Sequence, residues 1–143
     1  MTARRSLEVV LAEARARIVR LSPAEAWAAR TSALIVDLRS ERAREAGVVP
    51  GSLHVPRTVL EWRLDPDSPW RNPHVGGLDS RLVLLCDHGE SSSLAAAALV
   101  DLGFTDVADV VGGIAAWTAA GLPLVPAVAP PDGLPGLGPP QPA

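Results

Sequence analysis

The chain has 143 residues, 48% of them hydrophobic and 20% charged, which suits one globular domain and excludes two of full size. Its 16 acidic residues outnumber 13 basic ones, all scattered arginines, so no nucleic-acid-binding surface is expected. No apolar run approaches the roughly 20 residues of a membrane span, so we predict no membrane partner and a cytoplasmic location. A single cysteine excludes an internal disulfide, and with three scattered histidines it forms no zinc-type cluster, so neither a metal nor a cofactor is predicted.

Two helices are predicted before the first strand. Apolar residues between positions 7 and 21 recur every three or four residues, which predicts an amphipathic helix within residues 1–19. Residues 22–25, Ser-Pro-Ala-Glu, form a capping box with proline at the first helical position, so a short helix should run to about residue 30. Trp27 is expected to anchor this second helix by lying buried.

Continuous apolar runs predict the strands of a parallel sheet, because strands covered on both faces have this pattern. The runs occupy residues 33–37, 53–55, 81–85 and 106–111. Two more helices are predicted at residues 92–102, with Ser91 or Ser92 as the N-cap, and at about residues 114–121. The alternation of strands and helices indicates one α/β domain over residues 20–125, in which helices flank a central parallel sheet.

Two segments lack these patterns. Residues 65–79 are polar and interrupted by proline, which predicts a long surface connection. Residues 126–143 are nearly all Pro, Gly, Ala and Leu. That composition holds neither helix nor strand, so we predict a disordered tail.

The segment of residues 86–92, Cys-Asp-His-Gly-Glu-Ser-Ser, lies between a predicted strand and a predicted helix. Ligands bind beyond the carboxyl ends of parallel strands, and a helix N-terminus there offers backbone N–H groups and partial positive charge. Both favour the thiolate of Cys86, or a persulfide anion built on it. Gly89 lets the loop curl so that its amides point inward, and Ser91 and Ser92 add hydroxyl donors. The position also suits a small core residue, so position alone leaves both interpretations of Cys86 open.

Four segments, in the right order, resemble motifs of the rhodanese-like family. Residues 35–40 resemble its Asp-x-Arg strand end, and residues 47–52 resemble its Gly-His-Ile-Pro-Gly-Ala turn. Residues 84–92 resemble its active-site loop, and residues 111–117 resemble its Gly-Gly-aromatic-x-x-Trp signature. The likeness runs from about residue 21 to 124, and the composition looks most like that of actinobacterial single-domain members.

The resemblance implies a three-layer α/β fold and a sulfurtransferase. In this family the loop cysteine, here Cys86, carries sulfane sulfur as a persulfide from a small-molecule donor to a thiol or cyanide acceptor. The backbone of His88, Gly89, Glu90, Ser91 and Ser92 would form the binding cradle. Because the chain has no second cysteine, the acceptor must be external, either a small thiol or a protein thiol.

The chain departs from the family pattern in ways that bear on activity. Val48 stands where the family usually has His, and Ser91 stands where many single-domain members have Arg. These departures leave a second hypothesis open, a rhodanese-fold binding or sulfur-sensing module with weak turnover. Phosphatases of this fold have a loop one residue longer that ends in Arg, which clamps phosphate. Ser92 stands at that position, so phosphatase activity is not expected.

Three charged or titratable side chains of the loop have two interpretations each, and a nearby pair has one. Asp87 and Glu90 either point into solvent or oppose an anionic donor such as thiosulfate. His88 is either solvated or assists a proton transfer. Asp37 and Arg39, at the same strand-end face as Cys86, are interpreted as a structural pair that supports the site.

Overall fold

A computed structural model describes residues 3–130 and 133–143 of the chain, and it contains a central five-stranded sheet. All neighbouring strands pair in parallel, in the order β1-β5-β4-β2-β3, which confirms the predicted α/β class. The strands are β1 (Val19–Leu21), β2 (Leu34–Asp37), β3 (Leu53–His54), β4 (Arg81–Leu85) and β5 (Asp106–Val110).

Helices cover both faces of the sheet. They are α1 (Leu7–Ala16), α2 (Pro23–Ala29), α3 (Glu41–Arg44), a 3-10 turn (Arg57–Val59) that leads into α4 (Leu60–Leu64), α5 (Ser91–Asp101) and α6 (Gly113–Ala119). None of the helices in the described part of the chain has the length and apolar character needed to cross a membrane.

The central strand β4 shows how the sheet separates two cores. Leu82 and Leu84 belong to the core beneath α4 and α5, whereas Val83 and Leu85 belong to the core that contains Trp117 of α6. Successive side chains of a strand point to opposite faces, so an unbroken apolar run fills both cores at once. This arrangement confirms the predicted three layers and places the end of β4 in the middle of the sheet.

The first strand of the sheet differs from the sequence-based expectation. The predicted N-terminal helix ends at Ala16, and Val19–Leu21 forms β1, which pairs with β5. The apolar residues at positions 18 and 21 continue the three-and-four spacing of the helix, so the spacing alone does not show where the helix ends. The edge strand forms because its backbone groups pair with residues 108–110, a contact that local periodicity does not report.

Helix α2 begins as predicted, but its anchor is different. The Ser22 hydroxyl accepts from the Glu25 backbone N–H at 3.1 Å, and the Glu25 carboxylate accepts from the Ser22 N–H at 2.8 Å, which confirms the capping box. The fully buried residue is Ala26, whereas Trp27 is half-buried. Trp27 meets Trp117 edge-on at 5.9 Å, because a surface helix can present one ring edge to the core and leave the other face outside.

The tail has no regular secondary structure, yet its described residues lie against the domain. The Asn72 side chain donates to the carbonyl oxygens of Gly136 (2.8 Å) and Gly138 (3.0 Å), and the Gln141 backbone N–H donates to the Ser52 carbonyl at 2.8 Å. Disorder of the tail stays a prediction beside these contacts, and residues 131 and 132 of the predicted tail lie outside the described part of the chain. Side-chain amides satisfy backbone groups that a Pro- and Gly-rich segment cannot pair within itself.

The same contacts correct the expectation for residues 65–79. That segment is not wholly a surface connection, because Asn72 and Val75 are buried within it. Asn72 accepts from the His74 backbone N–H at 2.8 Å while its amide holds the tail, so one polar side chain organises both segments.

Candidate active site

Cys86 lies at the carboxyl end of β4, directly before the loop that leads into α5. Strand β4 has β5 on one side and β2 on the other, so Cys86 stands at the centre of the sheet edge where parallel sheets bind ligands. The residue is 4% exposed. The loop closes over the sulfur, which leaves a small reactive atom at the base of a backbone cradle.

Two backbone amides point at the sulfur. The Gly89 N–H donates to Cys86 Sγ at 3.2 Å, and the Ser92 N–H donates at 3.4 Å. Gly89 has a φ of +77°, and a Cβ at this position would lie 2.6 Å from the Gly112 nitrogen and 2.9 Å from the Val110 oxygen. Glycine is required here both by the backbone conformation and by the neighbouring chain.

The environment of Cys86 favours its thiolate. Burial raises the pKa of the thiol, but hydrogen bonds from the Ser92 and Ser91 side chains and from the Ser92 and Gly89 amides lower it by more, so the pKa lies below its ordinary value. The Ser92 hydroxyl has only one proton, which it donates to Asp109 Oδ2 at 2.9 Å. The Gly89 and Ser92 amides and the Ser91 hydroxyl are therefore the donors that remain on the sulfur.

The remaining loop residues divide into buried and exposed sets. Gly89 and Ser92 are buried beside Cys86, as a cradle requires, whereas the side chains of Asp87, His88, Glu90 and Ser91 are exposed. The exposed set forms the rim of the site.

The expected serine cap of α5 is wrong. Glu90 occupies the N-cap position without a side-chain hydrogen bond, and the Ser92 and Ser93 hydroxyls instead donate to Asp109, at 2.9 and 2.7 Å. A buried carboxylate is a stronger acceptor than the helix end, because a charged partner roughly doubles the strength of a hydrogen bond.

Asp37 and Arg39 form a buried pair at the end of β2. The Arg39 Nε and Nη2 atoms donate to the two carboxylate oxygens at 3.1 and 3.0 Å, and Nη2 also donates to the Gly47 carbonyl at 2.9 Å. Arg44, which sequence analysis missed, donates from Nε to Asp37 at 3.3 Å, and burial lowers the pKa of its guanidinium. These contacts join β2 to the turn after α3 and support a structural role for the pair.

Asp109 is a further residue near the site that sequence analysis missed. It is fully buried on β5 and accepts from Ser92, Ser93 and Arg20. A carboxylate inside the apolar run of residues 107–111 was the available signal, because a buried charge needs partners.

Three comparisons identify proteins that this chain resembles. The model of the Rhodanese-like domain matches residues 22–120. The chain is 37% identical over 100 residues to Thiosulfate sulfurtransferase GlpE of Pseudomonas syringae pv. syringae, a match that covers 68% of this chain and 85% of that protein.

Solved structures share the fold. A Rhodopseudomonas palustris protein of unknown function, described as a possible tyrosine phosphatase, is 36% identical, with a TM-score of 0.79 over 87% of this chain and 98% of that one. Thiosulfate sulfurtransferase from Pseudomonas aeruginosa is 25% identical, with a TM-score of 0.64 over 81% of this chain and 22% of that one. The cysteine-bearing loop, the sheet that presents it and these matches agree, and the chain belongs to the rhodanese-like family.

Proposed function

We infer that this rhodanese-type sulfurtransferase carries sulfane sulfur as a persulfide on Cys86. The observation that carries the inference is the pair of loop amides, from Gly89 and Ser92, aimed at a sulfur atom at the centre of the sheet edge. Cys86 carries a negative charge on sulfur in both forms of the enzyme, as the free thiolate and as the persulfide anion. N–H donors stabilise both forms. The relatives named Thiosulfate sulfurtransferase support the same chemistry.

The reaction has two displacements at sulfur. With thiosulfate, the Cys86 thiolate attacks the sulfane sulfur; a new S–S bond forms, the old one breaks, and sulfite leaves with its electron pair. A thiolate acceptor then attacks the outer sulfur of the persulfide, and Cys86 leaves as the thiolate. Each step is a nucleophilic substitution with no net oxidation, so no further reductant is needed.

The acceptor is proposed to be an external thiol, small or protein-borne, because the chain has one cysteine. The rim of the site carries the exposed acids Asp87 and Glu90, and these favour donors and acceptors of low negative charge. A cytoplasmic location stays a prediction.

Phosphatase activity is the second candidate, because the similar Rhodopseudomonas palustris protein is described as a possible tyrosine phosphatase. The loop of this chain supplies no guanidinium, since residues 86–92 contain no arginine. Arg15 and Arg20 approach the loop from its far side and donate to the Gly89 carbonyl. A phosphate dianion at Cys86 would thus lack the bidentate clamp that its transition state requires.

Mass spectrometry of the intact protein tests the proposal. After treatment with thiosulfate or an alkyl persulfide, the wild type should gain one sulfur atom, and a thiol acceptor should remove it. Cys86→Ala should show no gain. If the wild type gains no sulfur from any donor while its thiol alkylates like an ordinary cysteine, the chain is a binding or sensing module instead. Hydrolysis of an aryl phosphate that depends on Cys86 would favour the phosphatase.

A further inference from the structure

Two arginines from outside the matched family region hold the back of the active-site loop. Arg15 of α1 and Arg20 of β1 both donate from Nη2 to the Gly89 carbonyl oxygen, at 2.8 and 2.9 Å. The family match begins at residue 22, so both arginines precede it. The N-terminal elements α1 and β1 therefore meet at one backbone atom of the loop, the Gly89 carbonyl oxygen.

Gly89 connects these guanidiniums to the reactive sulfur. Its carbonyl accepts from the two arginines, and its N–H donates to Cys86 Sγ at 3.2 Å. A carbonyl and the N–H of the next residue belong to one planar trans peptide unit and point in opposite directions. The Gly89 N–H that donates to the sulfur belongs to the preceding peptide unit. Two donors on the Gly89 carbonyl therefore act on that N–H by fixing the position of Gly89 itself, which lies between the two peptide units.

Asp109 ties the two arginines to the start of α5. It accepts from Arg20 Nε at 3.0 Å and from the hydroxyls of Ser92 and Ser93 at 2.9 and 2.7 Å. Arg15 completes the network through Ser93, whose hydroxyl accepts from Arg15 Nε at 3.1 Å. The network has two guanidinium charges for one buried carboxylate, so it places an excess of positive charge behind an anionic sulfur.

The setting of these arginines differs from that of an ordinary surface pair. The Arg20 side chain is 23% exposed and its partner Asp109 is fully buried. Arg17 is the C-cap residue of α1, the helix that carries Arg15. It is 43% exposed and pairs with the exposed Asp101. Exposed pairs of the second kind contribute little, because solvent competes for both partners.

We propose that Arg15 and Arg20 are positioning residues for sulfur transfer, which hold the loop amides against the anionic sulfur of Cys86 through the Gly89 carbonyl. Helix α1 and strand β1 thereby complete the active site. The inference rests on the proposed role of Cys86.

The test compares Arg15→Met and Arg20→Met with Arg17→Met as the matched control. Methionine keeps an apolar stem and removes the donors and the charge. The pH dependence of Cys86 alkylation should shift to higher pH in both test variants, so that the rate at neutral pH falls about three- to tenfold, because alkylation follows the thiolate fraction. The kcat for transfer should fall more than the KM for the acceptor changes. Arg15→Lys should recover part of the loss, and Arg17→Met should match the wild type.

The outcomes separate this inference from the proposed function. If the wild type forms a persulfide but the alkylation profile and kcat are unchanged in Arg15→Met and Arg20→Met, the positioning role is overturned. If no persulfide forms in the wild type, the proposed function fails, and the alkylation profiles alone decide the positioning role. Should Arg20→Met fail to fold because Asp109 loses its charged partner, Arg15→Met decides the question, since Arg15 bonds to the Ser93 hydroxyl and the Gly89 carbonyl.

Discussion

At the residue scale, Gly89 combines an unusual backbone conformation with two hydrogen-bonding roles. Its φ of +77° belongs to the left-handed region, its N–H donates to Cys86 Sγ, and its carbonyl accepts from two arginines. A side chain would also collide with the backbone of Gly112 and Val110. The geometry of the cradle therefore depends on the absence of a single carbon atom.

We expect Gly89→Ala to reduce sulfur transfer by about 100-fold, because displacement of the loop by a fraction of an ångström misaligns the amide donors. The control is Gly121→Ala, where φ is +71° and a Cβ would have nothing within 4 Å. That variant should cost only the roughly 1 kcal/mol of a left-handed alanine and should keep full activity. Chemical denaturation and a transfer assay measure both effects. Equal activity losses in the two variants would contradict the steric explanation.

The exposed acids at the rim give a second residue-scale prediction. Asp87→Ala with Glu90→Ala should lower the KM for thiosulfate about two- to fivefold, because each carboxylate repels the dianion through solvent. Transfer from a persulfide of low charge should hardly change, and added salt should remove the difference. Glu8→Ala with Asp67→Ala removes the same charge from other exposed positions and should leave the KM as it is. An unchanged KM in the rim variant would make Asp87 and Glu90 bystanders.

At the scale of elements, short helices depend on their ends. Helix α2 has only seven residues, and its start is secured by the reciprocal hydrogen bonds of Ser22 and Glu25. The Glu25 carboxylate accepts from the Ser22 N–H, and this bond first, and the nearby Ser22 hydroxyl second, lower the pKa of the Glu25 carboxyl. A short helix without such partners would leave its first N–H groups unsatisfied.

We expect Ser22→Ala to lower the free energy of unfolding by about 1 kcal/mol at neutral pH. Since folding lowers the pKa of Glu25, its contribution is present above the unfolded-state pKa and is lost as pH falls through the folded-state pKa. Ser22→Ala keeps the N–H at position 22 and removes only the hydroxyl's smaller part of this pKa shift, so the stability advantage of the wild type over the variant should shrink slightly in acid. Denaturation at several pH values measures this, and a difference that grows with acid would be the wrong sign.

At the scale of the whole molecule, Asn72 joins the body of the domain to its tail. The side chain is fully buried and bonds to Gly136, Gly138 and His74. Its removal leaves buried backbone groups without partners, which costs more than the lost hydrogen bonds alone.

Asn72→Ala should lower the free energy of unfolding by about 2 kcal/mol and release the tail to limited proteolysis. Asp67→Ala, in the same connection but exposed, is the control and should leave both measurements unchanged. If the wild-type tail is already cleaved as fast as that of Asn72→Ala, the packed arrangement of residues 133–143 does not persist in solution.

Much of the fold follows from local patterns. The apolar run of residues 81–85 is a strand with those bounds, and residues 22–25 form the capping box, because burial on both faces and helix capping are decided by neighbouring residues. The position of Cys86 between a strand and a helix likewise follows from the order of the elements.

The sequence by itself therefore determined the parallel sheet, the loop around Cys86 and the family. Only the tertiary structure decided that Val19–Leu21 is an edge strand, that the tail packs on Asn72, and that Asp109 organises the start of α5. Arg15 lies 74 positions from Gly89 in the chain, yet its guanidinium donates to that carbonyl. Such contacts depend on how separate elements pack around the sheet. The free energy of that packing selects them, and the pattern of apolar and polar residues near each position does not report it.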